Sequence, residues 1–279
     1  MVRRRMSTAS LLLAFAAAGT SPAAAEETNH LWPRFAIDAG AYEISTSDKI
    51  QVQGVVELAN ADIDLSKDIG LPDSETLLNL KLDWAFAERH SIAFGYWSLE
   101  RSGSRSLRRD VEIGGVVFPV GAEARVDFDT TSIGAAYTYW FMRHESFGLG
   151  GTFGLVYLGL DAEASASVEV GGVGGSVSRS ASASTDLPVP MIGLSVKGSP
   201  WQRLVLYGKA DILPSVTVGD YSGSAGAYSF GAEVYVWGPL ALGASFDGTY
   251  YDAEVDKESW NGSVDLSSNG FRFYLRAAF

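Results

Sequence analysis

Acid–base chemistry in this 279-residue chain would have to come from three histidines, His30, His90 and His144, because there is no cysteine to act as a nucleophile or redox centre. A second group with chemical potential is a set of ionisable residues scattered among apolar ones: Lys81, Asp83, Lys197, Lys209, Asp211, Glu233, Asp247, Arg272 and Arg276. Five are cationic and four anionic. Gathered in one space they would be close to balance, able either to pair with one another or to line a small selective pore. A third group, Asp62, Asp64, Asp68, Asp73 and Glu75, offers the hard oxygen ligands that calcium takes. Lys67, however, stands where a calcium loop of the helix–loop–helix kind needs glycine, and the remaining spacing fits poorly. A solvated loop is the simpler reading, and no metal or other cofactor is expected.

The elements that must position these groups are strands. The last nine residues alternate, with Phe271, Phe273, Leu275, Ala277 and Phe279 on one face and Arg272, Tyr274 and Arg276 on the other. Leu78, Leu80, Leu82, Trp84 and Phe86 likewise share a face opposite Asn79, Lys81 and Asp83, and the turn Ala87-Glu88-Arg89-His90 leads into Ile92, Phe94 and Tyr96. The pattern recurs around Met142-Arg143-His144-Glu145, Ser199-Pro200-Trp201 and Gly238-Pro239. Four short turns alternating with longer polar connections, and an apolar face on every strand, predict an all-β, transmembrane, antiparallel up-and-down barrel.

The expected strands number ten, at 33–45, 74–86, 91–101, 124–141, 146–162, 184–197, 202–218, 223–237, 239–254 and 264–279. The range is eight to twelve: Lys49 to Leu58 and Asp110 to Val120 also alternate and would give twelve, and eight follows if the first strand pairs differently. In the fourth strand Val126 and Phe128 are out of phase with Ile133 and Tyr137, which predicts a bulge near Thr130 to Ser132. Residues 162–186, with small side chains around Gly171 to Gly175, predict a hairpin continuing two strands outward. Trp84, Phe86, Trp140, Phe141, Trp201, Trp237 and Phe279 collect beside the short turns, as an interfacial aromatic belt would require; core aromatics of a β-sandwich are the alternative.

Arg3, Arg4 and Arg5, the apolar run Leu11 to Ala18 and the small residues Ala23-Ala24-Ala25 predict a signal peptide at 1–25, followed by a barrel at 26–279. No other stretch approaches the ~20 apolar residues of a membrane-spanning helix, so a membrane would be crossed by strands. Without its three leader arginines the chain keeps 18 basic residues against 33 acidic ones, a net charge of −15 that argues against nucleic-acid binding. An exported barrel of this kind belongs in the outer membrane of a Gram-negative cell, among outer-membrane lipid and lipopolysaccharide.

The segment Ile63-Asp64-Leu65-Ser66-Lys67-Asp68-Ile69-Gly70-Leu71, followed by a strand, a turn with Arg89-His90 and a second strand with Tyr96 and Arg101, resembles the proteobacterial outer-membrane barrel families with a D-L-x-x-D-L/I-G-L motif. The terminal Phe279 resembles the signal read by the barrel-assembly machinery. The resemblance implies an outer-membrane barrel and brings no catalytic residues. In a barrel of eight to ten strands side chains fill the interior, so the nine ionisable residues above are expected inside, plugging the lumen. The expected role is structural or surface-interacting. A narrow channel for small solutes, a lipid- or peptide-hydrolysing barrel enzyme and a soluble periplasmic β protein are the alternatives. An enzyme is not expected, since His30 precedes the first strand and His90 and His144 fall in periplasmic turns. Arg101, Arg105, Arg108 and Arg109 form a basic cluster beyond an upward strand, placed to contact lipopolysaccharide phosphates or to form a solvated loop.

Overall fold

Ten long antiparallel strands close on themselves, each hydrogen-bonded to its neighbour in sequence. They are β1 (Phe35–Gln53), β2 (Ser74–Ala87), β3 (His90–Ser106), β4 (Glu123–Arg143), β5 (Phe147–Val170), β6 (Gly175–Trp201), β7 (Leu204–Val218), β8 (Tyr221–Trp237), β9 (Leu240–Lys257) and β10 (Trp260–Ala278). β1 pairs with β10 from Ala36↔Ala278 to Gln53↔Asn261, and Phe35 and Phe279 complete the seam by exchanging backbone hydrogen bonds of 2.9 and 2.7 Å. Closure leaves no barrel strand with an open edge. The computed structural model describes residues 30–53, 63–64, 66, 70–107, 110–113, 116–170, 175–218, 221–257 and 260–279. The expected leader 1–25, Arg108 and Arg109, and most of the D-L-x-x-D-L/I-G-L segment lie outside the described residues.

Two of the sequence expectations change. Lys49 to Gln53 extend β1, and Asp110 to Val120 hold only a small hairpin, Val111–Ile113 with Val116–Phe118, that pairs with no barrel strand. Neither stretch adds a stave to the ten. The bulge near Thr130 to Ser132 is absent as well: β3 and β4 pair without interruption from His90↔Tyr139 to Ser106↔Glu123. The pleat of β4 stays in phase while its polarity inverts. Ile133 and Tyr137 point outward and exposed, whereas Val126, Phe128, Thr130 and Ser132 point inward and are buried.

That inversion divides the barrel into two storeys. Toward the short turns the outer face is apolar and exposed, as at Leu78, Leu80, Phe94, Phe153, Leu194, Phe230, Phe273 and Leu275, and the inner face carries the charges. Toward the other end Glu100, Asp129, Asp161, Glu163, Asp252 and Glu254 face out, and apolar side chains fill the interior. A membrane strand needs ~9–11 residues. β5 and β6 have 24 and 27, paired as far as Val170↔Gly175, so they run on well past the apolar girdle. Beyond the girdle the outside meets water and the inside takes over as the apolar core.

Among the belt aromatics Trp84, Phe86, Phe141, Trp201, Trp237 and Phe279 are exposed on the outer surface. Trp140 is the exception. It points into the lumen, 9% exposed, and its Nε1 donates to Ser91 Oγ at 3.0 Å.

Candidate functional site: the lumen

Period-2 alternation in ten paired strands brings Lys81 and Asp83 (β2), Lys197 (β6), Lys209 and Asp211 (β7), Glu233 (β8), Asp247 (β9), and Arg272 and Arg276 (β10) to one interior. All line a single cavity of about 400 Å³. Asp38, absent from the sequence expectation, joins them. It sits between Ile37 and Ala39 on β1, is 1% exposed, and brings the set to five cations and five anions.

Arg276 is the hub. Its Nη1 donates to Asp38 Oδ1 at 2.7 Å and to Asp83 Oδ2 at 3.0 Å, and its Nε lies 3.4 Å from Glu233 Oε2. Two periods of the pleat further in, Arg272 Nε bonds Asp247 Oδ2 at 3.1 Å, while its Nη1 reaches Asn79 Oδ1 at 3.1 Å and its Nη2 the Tyr207 hydroxyl at 3.2 Å. The guanidinium lies 4.2 Å over the Tyr274 ring, whose hydroxyl donates to Glu233 Oε1 at 3.0 Å. Lys209 pairs with Asp211 at 2.7 Å and Lys81 with Asp83 at 3.4 Å. Buried charges persist when paired and hydrogen-bonded, so this mesh ties β1, β2, β7, β8, β9 and β10 together across the lumen.

The short-turn end is straddled by residues 30–33. Leu31 is fully buried with Ala36, Val205, Tyr235, Ala241 and Ala278. The His30 ring stacks on Tyr235 with centroids 3.9 Å apart. Trp32 docks on the opposite wall. Its Nε1 donates to the His144 carbonyl at 2.7 Å, and its ring meets Trp140 edge-on at 5.2 Å. Arg143, Gly148 and Lys197 are register partners on β4, β5 and β6. A Cβ on Gly148 would collide with the Trp32 ring, so glycine leaves room for the indole beside the two cations. Burial, and secondarily Arg203, hold the His30 imidazole below its ordinary pKa, so it is neutral at pH 7.

At the other end the cavity meets an apolar collar. Leu71, Val126, Phe128, Leu158, Leu160 and Leu266 form one buried cluster, joined through Trp97 to Tyr42, Ile44, Leu77 and Leu99, and through Leu187 and Tyr251 to Val189 and Met191. A separate pocket of about 30 Å³ lies there, lined by Trp97, Phe128 and Leu266 together with the polar Thr46, Arg101 and Ser268.

Of the arginine cluster, Arg108 and Arg109 lie outside the described residues, and Arg101 does not face outward as expected. Arg101 is 5% exposed inside the collar, its Nη1 2.6 Å from Thr46 Oγ1 and its guanidinium 5.2 Å over the Phe128 ring. Arg105, four residues on, shares that inward parity and runs beside Gly70. The same inversion of polarity explains both: where the strands leave the girdle, alternate positions exchange their chemistry. Of the acidic group, Asp62 and Asp68 lie outside the described residues, and no cluster of three or more metal-binding side chains occurs among those described. His90 sits on the outer face, its Nδ1 2.7 Å from the Tyr137 hydroxyl, with its ring among Phe86, Tyr137 and Tyr139.

With this geometry in hand, comparison places the architecture. The outer-membrane protease OmpT of Escherichia coli is similar over 88% of this chain and 96% of its own, with 12% identity and a TM-score of 0.56. The chain has the fold of an outer-membrane barrel. At that identity the likeness concerns the fold alone. The toluene transporter TodX of Pseudomonas putida aligns over 91% of this chain and 92% of its own, at 9% identity and a TM-score of 0.35. Ail, the attachment invasion locus protein of Yersinia pestis, aligns over 86% and 98%, at 13% identity and a TM-score of 0.28. No protein-family model and no curated protein matches the chain.

Proposed function

We propose that this chain is an integral protein of the Gram-negative outer membrane, closed to solutes and non-enzymatic, with a structural or surface-interacting role. The observation that carries the reading is the apolar collar: Trp97, Leu99, Phe128, Leu158 and Leu266 pack together in the interior beyond the cavity of about 400 Å³, and apolar packing of that kind opposes a continuous wet path. The exposed apolar girdle supports residence in lipid, the leader expected at 1–25 supports export, and Phe279 offers the assembly machinery its terminal aromatic. The chain's histidines lie at the short-turn end, away from the surface where a histidine base would meet extracellular substrate. Contacts to lipid and lipopolysaccharide fall to the outward face of the barrel.

A second reading, a gated narrow channel, is favoured by one observation: the cavity reaches the short-turn rim at Glu88 and Arg143. Liposome swelling separates the two. Vesicles carrying the purified, folded protein should swell in arabinose no faster than protein-free vesicles; faster swelling overturns the closed reading in favour of the channel.

A further inference from the structure

Among the described lumen cations, Lys81, Lys209, Arg272 and Arg276 each touch a carboxylate. Lys197 and Arg143 do not. The Lys197 ammonium lies 4.0 Å from the Trp32 ring centroid and 4.6 Å from that of Trp140, and the Arg143 guanidinium lies 4.5 Å from the Trp32 ring centroid. An aromatic face accepts only part of a cation's hydrogen-bonding capacity, since N–H groups turned away from the ring keep their demand. For Arg143 that demand is explicit: its Nε is buried and bonded to nothing. Both residues line the 400 Å³ cavity where it reaches the short-turn rim. The carboxylates nearest this floor are committed or peripheral. Asp83 is held by Lys81 and Arg276, Glu233 by Arg276 and Tyr274, and Glu88 stands exposed at the rim.

We infer that Lys197 and Arg143, set either side of Gly148 and backed by Trp32 and Trp140, form a binding site for a small soluble oxyanion, a carboxylate or phosphate, entering from the short-turn end. A planar or tetrahedral oxyanion supplies the missing acceptors to both cations at once. The remainder of the cavity, polar at Lys81, Ser195 and Thr138, leaves room for the body of an organic acid. The site requires no passage through the collar, so its failure would leave the closed-barrel reading standing.

Isothermal titration of the folded protein in detergent micelles at low ionic strength tests it. Inorganic phosphate and succinate should each give saturable heat that salt suppresses, and glucose none. Lys197→Met and Arg143→Met should each weaken binding about tenfold, Lys197→Arg should restore most of it, and Arg125→Gln, which removes a distant exposed cation, should leave it unchanged. Each variant is first shown to be folded by its heat-modifiable gel mobility. Absence of saturable heat with both anions, or equal binding by the wild type and the two methionine variants, overturns the inference. Displacement of phosphate by phosphatidylglycerol in the micelle overturns the assignment to a soluble anion.

Discussion

Arg276 shows how much rests on single side chains. Its Nη1 and Nε face Asp38, Asp83 and Glu233, so replacing it with methionine takes from buried Asp38 its guanidinium partner and leaves Asp83 to Lys81 and Glu233 to Tyr274. Removing one member of a buried ionic set costs about 3–5 kcal/mol, and Arg276→Met should lose that much in urea unfolding of the micelle-embedded barrel. Asp83→Asn should cost distinctly less, since Arg276 keeps Asp38 and Glu233; equal losses would contradict the hub. His30 makes a different prediction. Its pKa lies below the ordinary 6.5 in the docked state, so the docked state binds fewer protons and its stability is complete above that value. As pH falls from 6.5 through the lowered pKa, protonation weakens the stacking on Tyr235. Cleavage by an added protease near residues 30–33 should therefore increase on acidification in the wild type and not in His30→Phe. Asp38 was legible by alternation in the first strand, lying opposite Ile37 and Ala39 like its partners elsewhere. Trp32 was not, because nothing in a short segment before the first strand signals that it folds back against Gly148.

At the scale of strands, facing is the property that decides function. Leu194 is 58% exposed on the girdle, and Ser229 lines the cavity beside its register partner Asp247. Arginine at a lipid-facing position near the midplane costs about 2–4 kcal/mol, so Leu194→Arg should destabilise the barrel by that amount while Ser229→Arg is tolerated. Equal losses in unfolding titrations would mean that the facing is misassigned. Deleting Phe279 removes its backbone exchange with Phe35 at the closing seam together with the terminal aromatic. Export should continue while assembly into the membrane fails; normal assembly would contradict a role for this residue. The ten strands were readable because each crosses the girdle with an unbroken apolar face. β4 misled where it leaves the girdle. Val126 and Phe128 are apolar yet face inward, because past the lipid the greasy side of a strand belongs inside. That one physical change accounts for the bulge that is not there and for Arg101 lying within the barrel. A true register break, between Leu213 and Val216 against β8, occurs around Pro214, whose missing N–H cannot serve the ladder.

The whole molecule is a stack of three interior layers. Residues 30–33 straddle the short-turn end, an ionic mesh surrounds the cavity above them, and an apolar cluster lies on the far side. Each layer brings together strands distant in sequence, which is why composition and motif could announce a barrel but not what fills its interior. The collar depends on facing side chains meeting across the interior, a property of barrel diameter and register and not of any one strand. Its removal should be felt as water entry: Phe128→Ser combined with Leu158→Ser opens the narrowest layer, and those proteins should conduct if Trp32 is also removed. Single-channel recording in a planar bilayer, with insertion verified, is the most direct test of the central claim. The wild-type protein should be electrically silent at all salt concentrations while the Trp32→Ala, Phe128→Ser, Leu158→Ser variant shows stepwise, salt-dependent current. Stepwise conductance from the wild type itself would contradict a closed lumen.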